Sequence, residues 1–480
     1  MSQDVSPPET TGTTTVAAPF EIKAFPRKPA VLVDPNKEAP FGWWPAIVIA
    51  LVAFIDRVEV NLIAGALPQI QEHFGFSDAW AGAIPTAASV AGALLVLPAG
   101  RLADRAPRVI TIAIVVLIWA LCSVASGLAT GFMMFFIIRI IIGGAGQLYN
   151  PPASSLLADY YPARSRSKAY GFERAGYYMG LPAGVILGGA IAEAFNWQTV
   201  FFIAAVPGLI VAAIVLTVKD PIRGLGDRID HARTGNVEAS QREVVTDTRS
   251  IWAQTKDLLS IPTLRGVTVA LACLSLGVAG LFYWIPTFLV RVEGVSEGTG
   301  SALSGAVGGT GIVIGIVLGS KLGDKYHGIR HGWRINVSAL FLLVGAIGLT
   351  GTVLLPGVTV RSAMIALACI GFAAAIPNMT AANADVLPAN GRGMGFAVLT
   401  FLVTLGGSVG PLLIGWTSTF FKGQFDLSKA DSLQYAMLIL LPPLFICIGV
   451  ALKIRNTYDE DAAKALASGG GAAMDAPVGH

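Results

Sequence analysis

The sequence predicts an all-α polytopic membrane protein in which twelve transmembrane helices form two halves of six helices each. The first observation is composition, since 54% of the 480 residues are hydrophobic and only 13% are charged. A soluble domain carries about 25% charged residues. The second observation is that the apolar residues are gathered into runs of roughly 20 residues, the length that crosses a hydrocarbon layer about 30 Å thick. The third is that motifs at the ends of these runs occur twice, at equivalent places in the two halves.

The predicted spans are apolar runs bounded by polar connectors. In the first half they are 43–66, 79–99, 109–128, 131–156, 169–193 and 197–218. In the second half they are 265–290, 299–320, 335–355, 359–383, 394–416 and 433–453. Gly and Pro are frequent within them, which membrane helices tolerate and which close helix packing favours.

Composition shifts divide the chain into two bundles, a linker and two tails. Residues 1–40 are polar, Pro-rich and without a central apolar stretch, which predicts a disordered cytoplasmic tail and not a signal peptide. The predicted six-helix bundles are 41–218 and 263–455, joined by a charged cytoplasmic linker at 219–262. A second disordered tail is expected at 456–480.

Basic residues are distributed unevenly among the connectors, and this asymmetry predicts the orientation of the chain. One set of alternate connectors holds Arg101, Arg105, Arg108, Arg164, Arg166, Lys168, Lys321, Lys325, Arg330, Arg334 and Arg392, whereas the other holds Arg291, Lys422 and Lys429. Because basic loops stay in the cytoplasm, we expect both termini there, in a multi-pass protein of the cell (inner) membrane. The net charge of +3 reflects this bias and does not predict nucleic-acid binding.

Two motifs occur once in each half. The segment Leu102–Arg105 after the second span matches Leu322–Lys325 after the eighth, and Ala158–Arg166 after the fourth matches Ala384–Arg392 after the tenth. Two matches in register indicate duplication of a six-span unit. Such a parallel repeat places the binding site between the halves, near the middle of the membrane.

Ionisable residues inside a span are expensive and usually functional. The chain has a compact set of them in its first half, which we predict to couple transport to protons: Asp56, Arg57, Glu59, Arg139, Glu173 and Arg174. Asp56 and Glu59 are three residues apart and share a helix face. We expect Asp56 to contact Arg139, because spans 1 and 4 both border the central path. The alternative is a structural ion network that fixes helix packing.

Polar and aromatic side chains along the same path are candidate substrate contacts. Arg139 would bind an anionic head group, and Gln147 and Asn150 follow it at helical spacing on span 4. Polar contacts between helices are an equally good explanation for these last two. The remaining candidates are Tyr149 in the first half and Tyr283, Trp284, Asn378, Thr400 and Thr404 in the second. A path charged on one side and apolar on the other suits an amphiphile.

The segment Gly100–Arg108 resembles the signature between spans 2 and 3 of the major facilitator superfamily. The resemblance implies the major facilitator fold and a cytoplasmic gate in which an Asp near a helix end pairs with basic residues. On this resemblance the gate residues are Asp104, Arg105 and Arg108, with a second copy at Asp324 and Lys325. Ordinary basic residues of a cytoplasmic loop are the alternative.

Within that superfamily the chain resembles the spinster-like branch. The motifs that carry the resemblance are Asp56-Arg57, Arg139-x-x-x-Gly143 with Tyr149 and Ala158-Asp159, Pro207-Gly208-Leu209, Asp220-Pro221-x-Arg223-Gly224, and Gly410-Pro411-Leu412-Leu413-x-Gly415. The resemblance implies transport of lysophospholipids or sphingoid phosphates, coupled to protons in some members. One position departs from the pattern, because Gly146 stands where the branch has Glu, and Glu59 and Glu173 are possible substitutes.

The sequence therefore predicts a secondary active transporter that works by alternating access, coupled to protons and moving an anionic amphiphile such as a lysophospholipid. A proton-coupled carrier of a soluble organic anion and a drug-efflux antiporter are the alternatives. An enzyme is not expected, since the chain has no phosphate-binding Gly-rich loop, no metal-ligand spacing and no nucleophile beside a base. The expected partners are the substrate, protons and membrane lipid, with no cofactor, no metal, no nucleic acid and a monomeric state.

Overall fold

A computed structural model describes residues 18–26, 28–234, 251–325, 331–387 and 392–471. Within these ranges the chain is almost entirely helical, apart from one antiparallel hairpin of β1 (Phe20–Ile22) and β2 (Val31–Val33). The first half consists of α1 (Trp44–Phe74), α2 (Asp78–Arg105), α3 (Arg108–Gly127), α4 (Phe132–Tyr160), α5 (Ala163–Ala194) and α6 (Trp197–Val215). Two short helices, α7 (Leu225–Thr234) and α8 (Ile251–Ser260), lie in the linker.

The second half repeats the arrangement with two interrupted helices. It consists of α9 (Pro262–Glu293), α10 (Glu297–Ala302), α11 (Gly308–Lys325), α12 (Trp333–Leu354), α13 (Val358–Asp385), α14 (Arg392–Phe425), α15 (Lys429–Ile439) and α16 (Leu441–Gly471). A π-helical turn, Leu303–Val307, joins α10 to α11, so that the pair forms one span. The helices α15 and α16 likewise form one span.

The helices have the length and hydropathy of membrane spans, which confirms the predicted fold class. Ten helical segments of the described chain meet both criteria, and α1 and α2 complete the two sets of six. The centre of α1 carries three charged residues, Asp56, Arg57 and Glu59. Several helices extend beyond the predicted apolar runs. For example, α1 continues to Phe74 and ends at Gly75, whose φ of 67° is the left-handed conformation that favours glycine.

The two ends of the molecule differ in their connectors. We call the end that carries the hairpin, α7 and α8 the linker end, and the opposite one the far end. At the linker end, Arg108 at the start of α3 pairs with Asp159 near the end of α4. Arg334 at the start of α12 pairs with Asp385 at the end of α13, 2.6 Å away. The same sequence offset relates both members of these pairs, so the structure repeats an ion pair in each half.

The N-terminal hairpin is packed against the first half, contrary to the predicted disorder of residues 1–40. The amide of Ile222 donates to the Ala24 carbonyl at 2.9 Å, and Phe25 is buried. Glu38, which follows the hairpin, pairs with Lys168 of α5 at 2.7 Å. The prediction is therefore wrong for the described residues from 18 onward, and residues 1–17 lie outside the described ranges.

The C-terminal boundary is also wrong. The sequence predicts disorder over 456–480, yet residues 456–471 continue α16 as a helix. Asp461 accepts a hydrogen bond from the backbone amide of Thr263 at 3.0 Å, and the buried Tyr458 donates to Asp385. These contacts tie the last turns of α16 to the start of α9 and to the ion pair at the end of α13.

The halves contact each other toward the far end, where α2 packs on α14 and α5 packs on α10. The approach of α2 to α14 depends on Gly82, because a Cβ there would lie 2.2 Å from the carbonyl oxygen of Pro411. Close approach also allows direct hydrogen bonds. Thr86 donates to the Ser408 carbonyl at 2.5 Å, and the Tyr283 hydroxyl donates to the Ala81 carbonyl at 3.0 Å.

Candidate functional site

Three of the predicted intramembrane charges are almost completely buried in the first half. Asp56, Glu59 and Arg139 are 3%, 4% and 3% exposed. Helix α1 supplies both acids, and α4 supplies the arginine. Charges so far from water are tolerated only when they are paired and hydrogen-bonded. The contacts of each one therefore decide what the cluster can do.

Arg139 pairs with Glu59 through Nη1 and Oε1, which are 3.1 Å apart. Its Nη2 donates to the hydroxyl of Ser126, and the guanidinium lies over the Phe201 ring, 4.4 Å from its centroid. Ser123 Oγ lies 3.1 Å from the second Glu59 oxygen. Within the described chain, Nε of Arg139 is left without a hydrogen-bond partner. This pair joins α1, α3 and α4.

The expected contact between Asp56 and Arg139 is not formed. Asp56 instead accepts from its neighbour Arg57, at 2.8 Å from Nε and 2.5 Å from Nη2. The guanidinium of Arg57 also lies over the Tyr177 ring of α5, 4.8 Å from its centroid. The reason is the geometry of α1, because residues three apart share a face only approximately, and Glu59 is the acid that reaches Arg139.

The position at which the sequence departs from the spinster pattern lies beside Asp56. A Cβ built on Gly146 would be 3.3 Å from Asp56 Oδ1. A glutamate at this position of α4 would thus start in contact with Asp56. In this chain the glycine leaves that side of the Asp56 carboxylate free of a second acid from α4. The proposed substitutes lie elsewhere: Glu59 binds Arg139, and Glu173 lies on α5.

Glu173 and Arg174 form a third pair, 3.1 Å apart, nearer the linker end. The Glu173 side chain is 10% exposed and that of Arg174 is 62% exposed. Arg174 lies 5.6 Å from the centroid of Tyr177, the ring that Arg57 also contacts. Tyr177 therefore connects the mostly exposed Arg174 with the Asp56–Arg57 pair. We call Asp56, Arg57, Glu173, Arg174 and Tyr177 the inner charge cluster.

Three predicted substrate contacts are held inside helix packing. Tyr149 is buried and its ring lies edge-on to Trp119, with centroids 5.2 Å apart. The buried Trp284 donates its indole N–H to the Pro411 carbonyl at 3.1 Å. Asn378 donates to the carbonyls of Gly319 and Ala374. In this conformation these side chains make packing contacts, and their role as substrate contacts stays a prediction.

The other predicted contacts are more accessible. Gln147, Asn150 and Thr404 are partly exposed, and Thr400 is exposed. Tyr283, by contrast, bridges the halves through its bond to α2. Whether these residues contact substrate stays a prediction.

The predicted cytoplasmic gate is only partly described. Asp104, Arg105 and Asp324 lie in helices, but their side chains are outside the described part of the chain, and Lys325 is exposed.

Arg108 does not act across the halves in this conformation. Its guanidinium pairs with Asp159 and, at 2.8 Å, with Asp220, both of the first half. It also donates to the Pro221 carbonyl at 2.6 Å. Arg108 therefore clamps α3 and α4 to the segment after α6.

A charged contact that the sequence did not reveal joins the halves at the far end. Arg291 of α9 donates to both oxygens of Asp78 at the start of α2, at 2.8 and 2.9 Å, and to Gln71 of α1 at 2.8 Å. Ser418 of α14 donates to Asp78 at 2.7 Å. We call these four residues the far-end latch. Each is an ordinary residue at a helix end, so no sequence signal pairs them.

Replacing Asp78 with Asn is expected to open the far end. The substitution removes the charge that accepts from Arg291 and Ser418, and hydrogen bonds to charged groups contribute about 1.5–3 kcal/mol. A loss of about 2 kcal/mol would shift the ratio of closed to open states roughly 30-fold. The measurement is the distance between two spin labels, obtained by double electron–electron resonance. The labels are placed at Thr130 and Lys429, two exposed far-end positions on opposite halves, in a variant that lacks the native cysteines.

The control is Asp426→Asn, which removes an exposed acid at the same end. Asp426 has a φ of 49°, a conformation that Asn tolerates. We expect the control to keep the short distance and Asp78→Asn to add a longer one. Identical distance distributions for wild type and Asp78→Asn would show that the latch does not hold the halves together.

The fold and the buried charges define the class of this protein: a multi-pass integral membrane protein of two six-helix halves with an ionic cluster inside one half. The chain belongs to the Major Facilitator Superfamily, whose family model matches residues 49–411. This membership confirms the fold class and the expectation that the chain is not an enzyme.

The relatives of this chain include a spinster homolog, which supports the predicted resemblance to the spinster-like branch, and an organic-anion transport protein. Protein spinster homolog 3 of Homo sapiens is 28% identical over 282 residues, which cover 54% of this chain and 51% of that protein. The cis,cis-muconate transport protein of Acinetobacter baylyi is 24% identical over 256 residues, covering 52% of this chain and 58% of that protein. The chain thus spans less than two thirds of the length of these relatives.

A solved structure shares the fold over most of the chain. It is a bacterial homolog of the human lysosomal transporter Spinster in an inward-facing and unoccupied conformation, with a TM-score of 0.72 and 23% identity. The alignment covers 89% of this chain and 98% of that chain. At this level of identity the likeness concerns the fold.

Proposed function

We propose that this protein is a proton-coupled secondary carrier of an anionic amphiphile, such as a lysophospholipid, and that it works by alternating access. The observation that carries the proposal is the pair of carboxylates on α1, Asp56 and Glu59, each buried within the helices against one arginine. Buried ionisable groups of this kind mark ion and substrate pathways in membrane proteins.

The two pairs suit different tasks. Glu59 and Arg139 are enclosed by Ser123, Ser126 and Phe201, so moving either charge requires α1, α3 and α4 to separate. Asp56 has one ionic partner, Arg57, whose side chain is 18% exposed. The Asp56–Arg57 pair can therefore separate more easily than the Glu59–Arg139 pair, and we assign the proton-coupling role to Asp56.

The coupling follows from competition for Arg57. When a substrate anion binds Arg57, the Asp56 carboxylate loses its counter-charge and takes up a proton, because an unpaired buried charge is costly. When the anion leaves, Arg57 returns to Asp56 and the proton is released. Proton uptake and anion binding on the same side of the membrane then become one event.

The inner charge cluster provides a graded route to that site from the linker end. Arg174, which is mostly exposed, would attract an anion first, and Tyr177 lies between it and Arg57. The far-end latch meanwhile keeps the opposite end closed. Rocking of one half against the other would break the latch and present the site to the far side.

A soluble organic anion is the second candidate substrate. The favouring observation is the match to a cis,cis-muconate transport protein beside the match to a spinster homolog. The mechanism above requires only an anionic group, so both cargoes fit the arginines. The two cargoes differ because the lysolipid has an apolar tail, which the carrier would have to enclose or expose to lipid, and the soluble anion has none.

The test is flux into proteoliposomes that contain the full chain, with labelled lysophosphatidylcholine, lysophosphatidylglycerol and cis,cis-muconate as separate cargoes. We expect saturable flux of the anionic lysolipid, increased by a pH gradient and reduced about tenfold by Arg174→Gln, since an attractive charge on a pathway raises association by 10-fold or more. Lys422→Gln, which removes an exposed charge at the far end, is the control.

Other outcomes separate the candidates. Muconate flux without lysolipid flux would replace the amphiphile with a soluble anion. No flux of any anion above empty vesicles, in either insertion orientation, would contradict the proposed carrier function.

A further inference from the structure

A cavity lies at the linker end, away from the inner charge cluster. It is open on one side, has a volume of about 710 Å³, and is bordered by the hairpin, the start of α3 and the segment after α6. Its walls include Phe25, Lys28, Arg108, Ile110, Lys219 and Asp220. None of these residues belongs to the inner charge cluster or to the far-end latch.

The accessible charge of this cavity is positive. Lys28, Lys219 and Arg223 are exposed side chains on its wall. The remaining charged residues of the wall, Arg108 and Asp220, are held in ion pairs, since Arg108 pairs with Asp220 at 2.8 Å and also with Asp159. Lys219 is positioned over the Phe25 ring, with Nζ 5.5 Å from its centroid. The wall thus presents ammonium groups beside an aromatic surface.

The apolar side of the cavity continues into a surface that faces lipid. Ile110 lines the cavity and is the first of four exposed aliphatic residues on α3, followed by Ile114, Leu117 and Leu121. Their spacing places them on one helix face. Because α3 is a membrane span, an exposed aliphatic face of this kind contacts acyl chains. The cavity therefore lies where a lipid-facing stripe meets the connectors of the linker end.

We propose that this cavity binds an anionic phospholipid of the leaflet at the linker end. The phosphate would lie between Lys28 and Lys219, and an acyl chain would follow the stripe that begins at Ile110. Basic pockets at the cytoplasmic ends of membrane helices bind anionic head groups in this way. A free anion would use the lysines alone, whereas a lipid also uses the aliphatic stripe, and this continuity favours the lipid.

The bound lipid would fasten the hairpin to the helices. Lys28 follows β1 and Lys219 follows α6, so one phosphate between them links two segments that otherwise meet through the Ile222–Ala24 hydrogen bond. The same segment after α6 carries Asp220, a partner of Arg108. Lipid binding should therefore stabilise the linker end of the first half. This proposal does not depend on which substrate is transported.

The test uses the full chain in a neutral detergent, with phosphatidylglycerol or phosphatidylcholine added at equal concentration. Thermal unfolding gives the stabilisation, and native mass spectrometry gives the number of lipids retained. We expect phosphatidylglycerol to stabilise the wild type more than phosphatidylcholine. The variant Lys28→Gln/Lys219→Gln should bind it roughly 25-fold more weakly, because each lysine near an anionic surface contributes on the order of fivefold.

Two further variants separate charge at this cavity from charge in general. Lys28→Arg/Lys219→Arg should retain the effect, and so should Lys321→Gln/Lys453→Gln, which removes two exposed lysines of the second half. If the double Gln variant does not fold, Lys28→Gln alone, at an exposed position after β1, provides the same comparison with a smaller loss.

Three results would overturn the proposal. Equal stabilisation by both lipids would show that head-group charge is irrelevant. Retention of the full phosphatidylglycerol effect by Lys28→Gln/Lys219→Gln would place the lipid elsewhere. Reproduction of the effect by inorganic phosphate alone would assign the cavity to a free anion and not to a lipid.

Discussion

Glu59→Ala should destabilise the protein severely, by about 3–5 kcal/mol, and leave little folded material. Removing one member of a buried ion pair has this magnitude because the other charge stays buried without compensation. Arg139 is 3% exposed, and Glu59 is its ionic partner. Without the carboxylate it retains the Ser126 hydroxyl and the faces of aromatic rings, which cannot neutralise it.

The measurement is the fraction of monodisperse protein after purification and the midpoint of thermal unfolding. The double variant Glu59→Leu/Arg139→Met should recover most of the loss, since replacing both charges with apolar groups of similar volume is often neutral. Glu460→Ala is the control, because it breaks the exposed pair with Lys464 on α16 and should leave the midpoint unchanged.

The double variant Glu59→Leu/Arg139→Met also tests whether the pair has a role in transport. If the double variant folds but transports nothing, the Glu59–Arg139 pair has a role beyond packing. If Glu59→Ala itself purifies like the wild type, Arg139 must be solvated or neutral, and the description of a tightly enclosed pair would be contradicted. Comparing the double variant with the single one therefore separates stability from transport.

Sequence reasoning found the charged residues of the site but not their pairing. Asp56, Glu59 and Arg139 stand out because charge is rare within apolar spans. Which acid meets Arg139 depends on the rotation of α1 against α4, and a difference of three residues along one helix face is too small to decide this from the sequence.

The far-end latch and the hairpin illustrate a different limit. Asp78 and Arg291 are far apart in the sequence and lie in different halves, so only the approach of the two halves at the far end brings them together. The hairpin has short strands in a polar, Pro-rich segment, and its order comes from tertiary contacts such as the burial of Phe25 against Phe41 and Tyr160. Local propensity cannot predict structure of this origin.

The repeated motifs were more informative than any single residue. The matching Ala-Asp segments led to the prediction of two related halves, and the structure places Asp159 and Asp385 in equivalent ion pairs with Arg108 and Arg334. The resemblance implies a gate role for Arg108, and in this conformation Arg108 and Arg334 form equivalent ion pairs, one within each half.

Asp56→Asn is expected to abolish the dependence of flux on the pH gradient. The amide keeps the size and one acceptor oxygen of the carboxylate, but it cannot take up a proton. Gradient-driven flux should decrease roughly 100-fold, the low end of what a positioned proton-transfer group contributes. The measurement is uptake of labelled substrate into proteoliposomes with an imposed gradient, at equal amounts of inserted protein.

The matched variant is Glu173→Gln, which neutralises the acid whose partner Arg174 is mostly exposed. We expect it to keep the response to the gradient, because Glu173 is not a ligand of Arg57. If Glu173→Gln loses the response and Asp56→Asn keeps it, the coupling acid is Glu173, the second substitute for the residue replaced by Gly146. Loss in both variants would mean that the inner charge cluster titrates as a unit.

Exchange without a gradient distinguishes coupling from transport itself. When labelled and unlabelled substrate equilibrate across the membrane, each carrier returns with substrate bound, so no net proton movement is required. Asp56→Asn should therefore retain exchange while losing gradient-driven uptake. Arg57 is then free of its charged neighbour and should hold the anion more tightly, lowering the substrate concentration for half-maximal exchange. Loss of exchange as well would instead make Asp56 a structural partner of Arg57, and the competition between carboxylate and substrate would be wrong.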